Sequence, residues 1–175
     1  RRLIAYSSVA QIGYIYMGIG LGTQGAMIAA LFHIMSHAAT KSMLFIAAAG
    51  LSEVSGNSKD FTDLKGSGYR NKIAGAAFTV GALSMVGIPL LAGFTSKVYF
   101  AVAAVDAEPT KMETAMIILA ISTILNAAYF IRSIISIYTP RNTKYNNPSY
   151  RPTKTMTAAL ILFIILNFFL GIGSN

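Results

Sequence analysis

The chain has 175 residues, about the length of one domain, and a composition far from that of soluble proteins. Hydrophobic residues make up 54% and charged residues 11%, against about 25% charged residues in soluble domains. Together with a mean hydropathy of +0.58, this excludes an ordinary soluble enzyme and a disordered protein. The net charge of +8 is not gathered in one motif, so it does not predict nucleic-acid binding. Without cysteine the chain has no disulfide, thiolate zinc site or iron–sulfur ligand.

Hydrophobic segments predict an all-α integral membrane protein, a single polytopic domain covering residues 1–175. A helix needs about 20 apolar residues to cross a hydrocarbon core of roughly 30 Å. Gly87, Pro89 and Gly93 interrupt the third predicted span between residues 87 and 95, and unwound backbone at that depth is tolerated only against protein or a wet cavity. The predicted spans cover residues 3–21, 25–51, 73–88 with 96–105, 113–138 and 155–172.

Charge placement favours one interrupted third span over two complete crossings. With one span, all three basic connections fall on the same side of the membrane, which the positive-inside rule identifies as cytoplasmic. Residues 106–113 are acidic apart from Lys111 and fall on the other side. The basic residues concerned are Arg1, Arg2, Lys59, Lys65, Arg70, Lys72, Arg141, Lys144, Arg151 and Lys154.

Titratable side chains inside the predicted spans are candidates for a proton relay. His33, His37 and Lys41 follow an i, i+4, i+8 spacing, so they share one face of a helix over about 12 Å. Lys97 follows the interruption, next to a helix N-terminus whose positive end disfavours a cation. A charge at membrane depth costs at least about 2.5–3.5 kcal/mol, so such residues usually line functional interiors. Packing of the histidines and snorkelling of Lys41 are the structural alternatives. Zinc binding by the histidine pair lacks a third ligand nearby.

A second polar stripe, on the first span, consists of Ser7, Gln11 and Tyr14. We expect these side chains, and Asn126 in the fourth span, to form hydrogen bonds between helices, because small polar groups commonly join membrane helices.

Three blocks of sequence carry a family resemblance. Residues 2–14 read RLIAYSSVAQIGY, residues 32–45 read FHIMSHAATKSMLF, and residues 81–97 read GALSMVGIPLLAGFTSK. In this order they resemble the antiporter-like proton-translocating subunits of NADH–quinone oxidoreductase (complex I) and of multi-subunit Mrp sodium/proton antiporters. The resemblance implies an inverted-repeat fold of about fourteen helices, with these residues in its second half. It also implies that His33, His37 and Lys41 lie on the central hydrophilic axis and Lys97 in the second half-channel.

The predicted function is therefore proton translocation in an NADH–quinone oxidoreductase-type complex. The alternatives are a subunit of an Mrp-type cation/proton antiporter, in which sodium is also moved, and a structural scaffold without transport. The chain carries no residues for redox or hydrolytic chemistry and no nucleotide fingerprint, so we expect no cofactor, no metal and no catalytic residue in it. The expected partners are other membrane subunits, the lipid bilayer and protons, in the plasma membrane of a bacterium or archaeon. The start at Arg1-Arg2 without methionine suggests the interior or C-terminal part of a longer protein.

Overall fold

The computed structural model describes residues 2–58, 60–140 and 152–173, and all regular structure in these ranges is α-helical. By length and composition, the helices Gln24–Glu53, Pro109–Tyr138 and Lys154–Ile172 can each cross a membrane, whereas Lys72–Val86 and Ala92–Val105 are shorter apolar helices. Pro109, which suits the first turn of a helix, starts its helix four residues before the predicted position. The helices are α1 (Arg2–Leu21), α2 (Gln24–Glu53), α3 (Ser67–Arg70), α4 (Lys72–Val86), α5 (Ala92–Val105), α6 (Pro109–Tyr138) and α7 (Lys154–Ile172).

Helices α4 and α5 lie at successive depths of the bundle. The core around α4 contains Ile4 at the start of α1 and Ile137 at the end of α6. The core around α5 contains Leu21 at the end of α1 and Ala115 near the start of α6. Since the two short helices pack against opposite ends of the same long neighbours, they have the arrangement of one interrupted membrane helix.

The interruption is shorter than the sequence predicted. Helix α4 ends at Gly87, whose φ of +95° is in the left-handed region that glycine adopts easily. Pro89 and Leu90 follow, and Leu90 has a φ of +73°, which is uncommon for a branched residue. Helix α5 begins at Ala92 rather than at residue 96. The prediction that Gly93 belongs to the break is wrong, because the Gly93 N–H donates to the Ser84 Oγ (3.1 Å) and Gly93 forms part of the first turn of α5.

Basic side chains of the described residues gather at one end of the bundle, where α1 and α4 begin and α2 and α6 end. The loop before α6, with Asp106 and Glu108, lies at the other end, where Thr23 Oγ1 donates to the Ala103 carbonyl (3.4 Å). The predicted basic residues Arg1, Lys59, Arg141, Lys144 and Arg151 lie outside the described residues. The described basic residues at this end are Arg2, Lys65, Arg70, Lys72, Arg132 and Lys154.

Large apolar side chains cover much of the outside of the bundle. Ile124 is 68% exposed and Phe169 is 67% exposed, and many other isoleucines and leucines are similar. The interior instead holds polar groups, for example Asn167 of α7, whose Nδ2 donates to the Thr40 Oγ1 of α2 (2.7 Å). An apolar outside around a partly polar inside is the organisation expected of a protein in a bilayer.

Candidate functional site: a line of buried histidine and lysine side chains

The His33, His37 and Lys41 side chains lie on the inner side of α2, as their spacing predicts. His33 is 3% exposed, Lys41 is buried and His37 is half-buried. The rings of His33 and His37 are stacked, with their centroids 6.1 Å apart and their planes within 17° of parallel. The structure thus brings the two histidines together at a depth where water is scarce.

His33 contacts α5 through Ser96. The His33 Nδ1 and the Ser96 Oγ are 3.0 Å apart, and the same hydroxyl is 3.0 Å from the Gly93 carbonyl. If Ser96 donates to Gly93, then His33 Nδ1 carries the proton. If Ser96 donates to His33 Nδ1, the proton is on Nε2, which is buried and has no hydrogen-bond partner among the described residues. Either ring nitrogen of His33 can therefore hold the proton, which suits a group that receives a proton on one side and releases it on the other.

His37 shares one feature with His33. The Nε2 atom of each ring is buried and has no hydrogen-bond partner among the described residues. A buried ring nitrogen without a partner costs free energy, and such exceptions often occur at functional positions. His37 lies between His33 and Lys41 along α2, so it is placed to pass a proton between them.

Lys41 turns toward α1. Its Nζ donates to the Ile4 carbonyl (2.8 Å) and to the Ser7 Oγ, which itself contacts the same carbonyl (2.9 Å). The amine is therefore hydrogen-bonded inside the bundle, beside the first two turns of α1. It is not hydrogen-bonded to His37, although the two are close enough for electrostatic interaction.

Lys97 extends from the second turn of α5 back to the end of α4. Its Nζ donates to the carbonyls of Val86 (2.7 Å) and Met85 (3.4 Å) and to the Thr123 Oγ1 of α6 (3.0 Å). The surroundings of Lys97 include a second helix end, which the sequence did not predict. The side chain is long enough to reach the C-terminal carbonyls of α4, the negative end of that helix, which stabilise a positive charge.

Tyr14 connects the two lysine regions. Its ring lies 5.5 Å from that of His33, edge to face, and the Lys97 Nζ lies 5.9 Å from its centroid. Phe100 stacks against the same tyrosine at 6.1 Å. His33 is close enough to Lys97 for electrostatic interaction. The side chains thus form a line in the order Lys41, His37, His33, Tyr14, Lys97.

The remaining predicted polar residues, Ser7, Gln11 and Asn126, are all buried. Ser7 joins α1 to α2 through Lys41, as expected of a group that links helices. By contrast, Gln11 Nε2, Asn126 Nδ2 and the Tyr14 hydroxyl are buried without a hydrogen-bond partner. These three do not fulfil the predicted role of hydrogen bonding between helices in the described structure.

Sequence reasoning missed Ser96, Thr123 and the polar face of α6. Ser96 lies next to Lys97 in a quoted block, and its proximity to His33 depends on how α5 packs against α2. Polar residues on α6 are spaced by four, three, four and three positions, which places them on one face of the helix. The polar face of α6 could therefore have been predicted from the spacing. The polar face of α6 consists of Ser122, Asn126, Tyr129, Ser133 and Ser136.

Comparison with known proteins decides the family. Residues 1–125 match the model of the family described as "NADH:quinone oxidoreductase/Mrp antiporter, TM". The chain belongs to this family. The match confirms the resemblance that residues 2–14, 32–45 and 81–97 suggested.

Relatives in this family include NADH-quinone oxidoreductase subunit N of Desulforudis audaxviator, 38% identical over 137 residues, which cover 78% of this chain and 26% of the relative. Another is NADH-quinone oxidoreductase subunit L of Rickettsia typhi, 30% identical over 175 residues, covering 98% of this chain and 25% of the relative. The chain therefore spans about a quarter of the length of these family members.

Two solved structures share the fold. The Mrp complex from Dietzia sp. DQ12-45-1b matches with a TM-score of 0.84 at 21% identity, over 99% of this chain and 40% of that chain. Respiratory complex I from Thermus thermophilus matches with a TM-score of 0.63 at 22% identity, over 98% of this chain and 37% of that chain. They confirm the predicted all-α membrane bundle of the antiporter-like family.

Proposed function

We propose that this protein moves protons across a membrane as a subunit of an NADH–quinone oxidoreductase-type complex. One observation carries the proposal: the buried Lys41 and the half-buried Lys97 stand at the two ends of a line of aromatic and histidine side chains, in the interior of a bundle whose outside is apolar. Buried amines and imidazoles are costly in such a position, and proton transport gives them a function.

Each side chain of the line has a chemical part in this proposal. Lys41 and Lys97 hold protons, His37 and His33 pass protons between their ring nitrogens, and Tyr14 lies between His33 and Lys97. A proton leaving Lys41 adds to one nitrogen of His37, and the opposite nitrogen releases one. The same exchange at His33 uses the two hydrogen-bond arrangements of Ser96. No redox step in this chain is required.

The setting of this activity also belongs to the proposal. Relatives named as numbered or lettered subunits support assembly with other membrane subunits, in the plasma membrane of a bacterium or archaeon. The alternative is a subunit of an Mrp-type antiporter that also moves sodium. The site favours protons over sodium. A sodium ion is bound by oxygen ligands, whereas this site offers the amines of Lys41 and Lys97. All six acidic residues of the chain lie in or next to the connections between long helices.

Substitution of Lys41 tests the proposal. In the full-length protein, Lys41→Gln keeps a hydrogen-bond donor for Ile4 and Ser7 but cannot bind and release a proton, so we expect a large loss of proton uptake by sealed vesicles. His37→Ala is expected to reduce uptake as well. Assembly, followed by the amount of intact complex, should remain near that of the wild type.

The matched control is Lys111→Gln, because Lys111 is half-exposed in the first turn of α6, at the non-basic end. If both Lys41→Gln and His37→Ala take up protons at the wild-type rate, the proposal is contradicted and a structural scaffold without transport is favoured. Uptake that requires sodium in the wild-type protein would instead favour the antiporter.

A further inference from the structure

A groove between α1 and α6 approaches Lys41 from the basic end of the bundle. Its inner part, about 390 Å³, is lined by Leu3, Tyr6, Ala10 and Leu125 and by four polar side chains, those of Ser7, Ser122, Asn126 and Tyr129. Its outer part, about 630 Å³, is lined by Ser133, Ser136 and Thr139 of α6 and by Lys65 and Arg132 at its rim. Leu3 and Tyr129 line both the inner and the outer part, so the two parts adjoin each other. Together we call them the α1/α6 groove.

The polar face of α6 follows this groove. Ser122, Asn126, Tyr129, Ser133 and Ser136 all line its wall. From residue 122 to residue 136 the helix rises about 21 Å, so polar groups extend from the level of Tyr14 to the basic end. Ser133 and Ser136 donate to backbone carbonyls, of Tyr129 (2.7 Å) and Phe61 (3.3 Å), and their oxygens remain able to accept hydrogen bonds.

Lys41 is connected to the groove through Ser7 and Tyr129. The Lys41 amine donates to the Ser7 Oγ, and Tyr129 lines the same inner part of the groove as Ser7. Tyr129 also donates to the Asn126 Oδ1. Both hydroxyl groups line the inner groove, so the amine that ends the line of histidines is one hydroxyl group away from it.

Asn126 provides an independent sign that the inner groove serves polar molecules. The residue is 1% exposed, and its Nδ2 is buried without a partner in the described structure, although its Oδ1 is bound to Tyr129. A buried amide donor costs roughly 1–3 kcal/mol when it is not satisfied. A water molecule in such a site needs two or more polar partners, and although most of the inner wall is apolar, Ser122, Asn126 and Tyr129 offer such partners there.

We propose that Tyr129 transfers protons between Lys41 and water in the α1/α6 groove, which gives the relay a side opening toward the basic end. The inference rests on the proposed function, because it assumes that Lys41 exchanges protons. Its new content is a route that does not use the histidines.

The transfer balances as a series of exchanges. Water in the groove gives a proton to the Tyr129 oxygen as the Tyr129 O–H proton passes to the Ser7 oxygen. The Ser7 O–H proton then passes to the neutral Lys41 amine. The hydroxide left in the groove is neutralised by a hydronium ion from the basic side, so the net change is one proton moved from that side to Lys41. Asn126 orients the Tyr129 hydroxyl and carries no proton.

Removal of one oxygen atom tests the route. In the full-length protein, Tyr129→Phe keeps the aromatic ring, and we expect proton uptake by vesicles to fall about tenfold, less than the hundredfold or more of a fully positioned acid–base group. Tyr16→Phe is the matched control, because Tyr16 is on the same bundle but 71% exposed. Proton uptake by each protein should also be compared in H₂O and in D₂O. If D₂O slows the wild type more than it slows Tyr129→Phe, the Tyr129 hydroxyl takes part in proton transfer, and the loss does not come from altered packing.

Cysteine labelling tests the groove itself. The 175 residues contain no cysteine, so Ser122→Cys and Ser136→Cys introduce single thiols into this region. Both should react with a small charged thiol reagent added from the basic side, whereas Ile124→Cys, on the apolar outside of α6, should not.

The outcomes separate this inference from the proposed function. Wild-type uptake by Tyr129→Phe, or a Ser122→Cys thiol that the charged reagent does not reach, overturns the side opening. Wild-type uptake by Lys41→Gln overturns the proposed function instead. A loss of uptake in Lys41→Gln with normal uptake in Tyr129→Phe leaves the histidine line as the route to Lys41.

Discussion

At the scale of single residues, the two lysines have different surroundings. Lys41 donates to one backbone carbonyl and one hydroxyl, whereas Lys97 donates to two carbonyls at the end of α4 and to Thr123. The negative end of α4 balances the charge of Lys97. Moving the proton away from Lys97 therefore requires a partner that competes with these carbonyls, and His33 beyond Tyr14 is the described candidate.

Substitution of Lys97 tests whether its amine must bind and release a proton during transport. We expect Lys97→Ala to reduce proton uptake strongly and Lys97→Arg not to restore it, because arginine remains charged. Proton uptake by vesicles with the full-length variants is the measurement. Normal uptake with Lys97→Arg would mean that a fixed positive charge suffices at this site.

Sequence alone could predict that His33, His37 and Lys41 lie together, because their spacing places them on one helix face. It could not predict that Lys97 contacts Val86, since that depends on how the chain turns between α4 and α5. The unpartnered atoms of Gln11, Tyr14 and Asn126 are also invisible in a sequence, because they result from packing between α1, α2 and α6.

At the scale of helices, close contact at the junction of α4 and α5 holds the interrupted helix together. A Cβ on Gly93 would lie 1.8 Å from the Ser84 carbonyl oxygen, so only glycine fits where the first turn of α5 meets the last turn of α4. The Ser84 hydroxyl accepts from the Gly93 N–H at the same point. This contact keeps Ser96 beside His33 and Lys97 beside Val86, so the junction positions both ends of the candidate site.

Gly93→Ala should therefore destabilise the protein by about 3 kcal/mol, the upper part of the usual range for overpacking, because backbone rather than a side-chain end must move. Gly13→Ala is the control, since a Cβ on Gly13 meets nothing within 4 Å. Thermal unfolding of the purified full-length protein in detergent measures both. Equal melting temperatures for the two variants would contradict the close contact at this junction.

The existence of the interruption could be predicted from Gly87 and Pro89, but its length could not. Gly93 looks like a helix breaker in a sequence, yet here it permits close packing inside a helix. The two uses of glycine, a left-handed φ at Gly87 and a missing side chain at Gly93, are distinguished only by the neighbouring backbone.

At the scale of the whole molecule, the positions of the charged residues and the depths of α4 and α5 in the bundle indicate the same orientation in the membrane. The described cations of the connections, apart from Lys111, lie at the end where α1 begins, and α5 ends at the opposite end beside the acidic residues 106–113. The all-α class and the general order of the helices followed from hydropathy. The relative depths of α4 and α5 needed the positive-inside rule, because neither helix is long enough to cross alone.

Accessibility of single cysteines tests this orientation. Asp60 and Thr110 are both exposed, before α4 and after α5 respectively. With one interrupted span between them, Asp60→Cys should react with a membrane-impermeant reagent only from the cytoplasmic side, and Thr110→Cys only from the other side. Two complete crossings would place both thiols on one side. Labelling of right-side-out and inside-out vesicles decides the question, and a shared side would mean that α4 and α5 are separate spans.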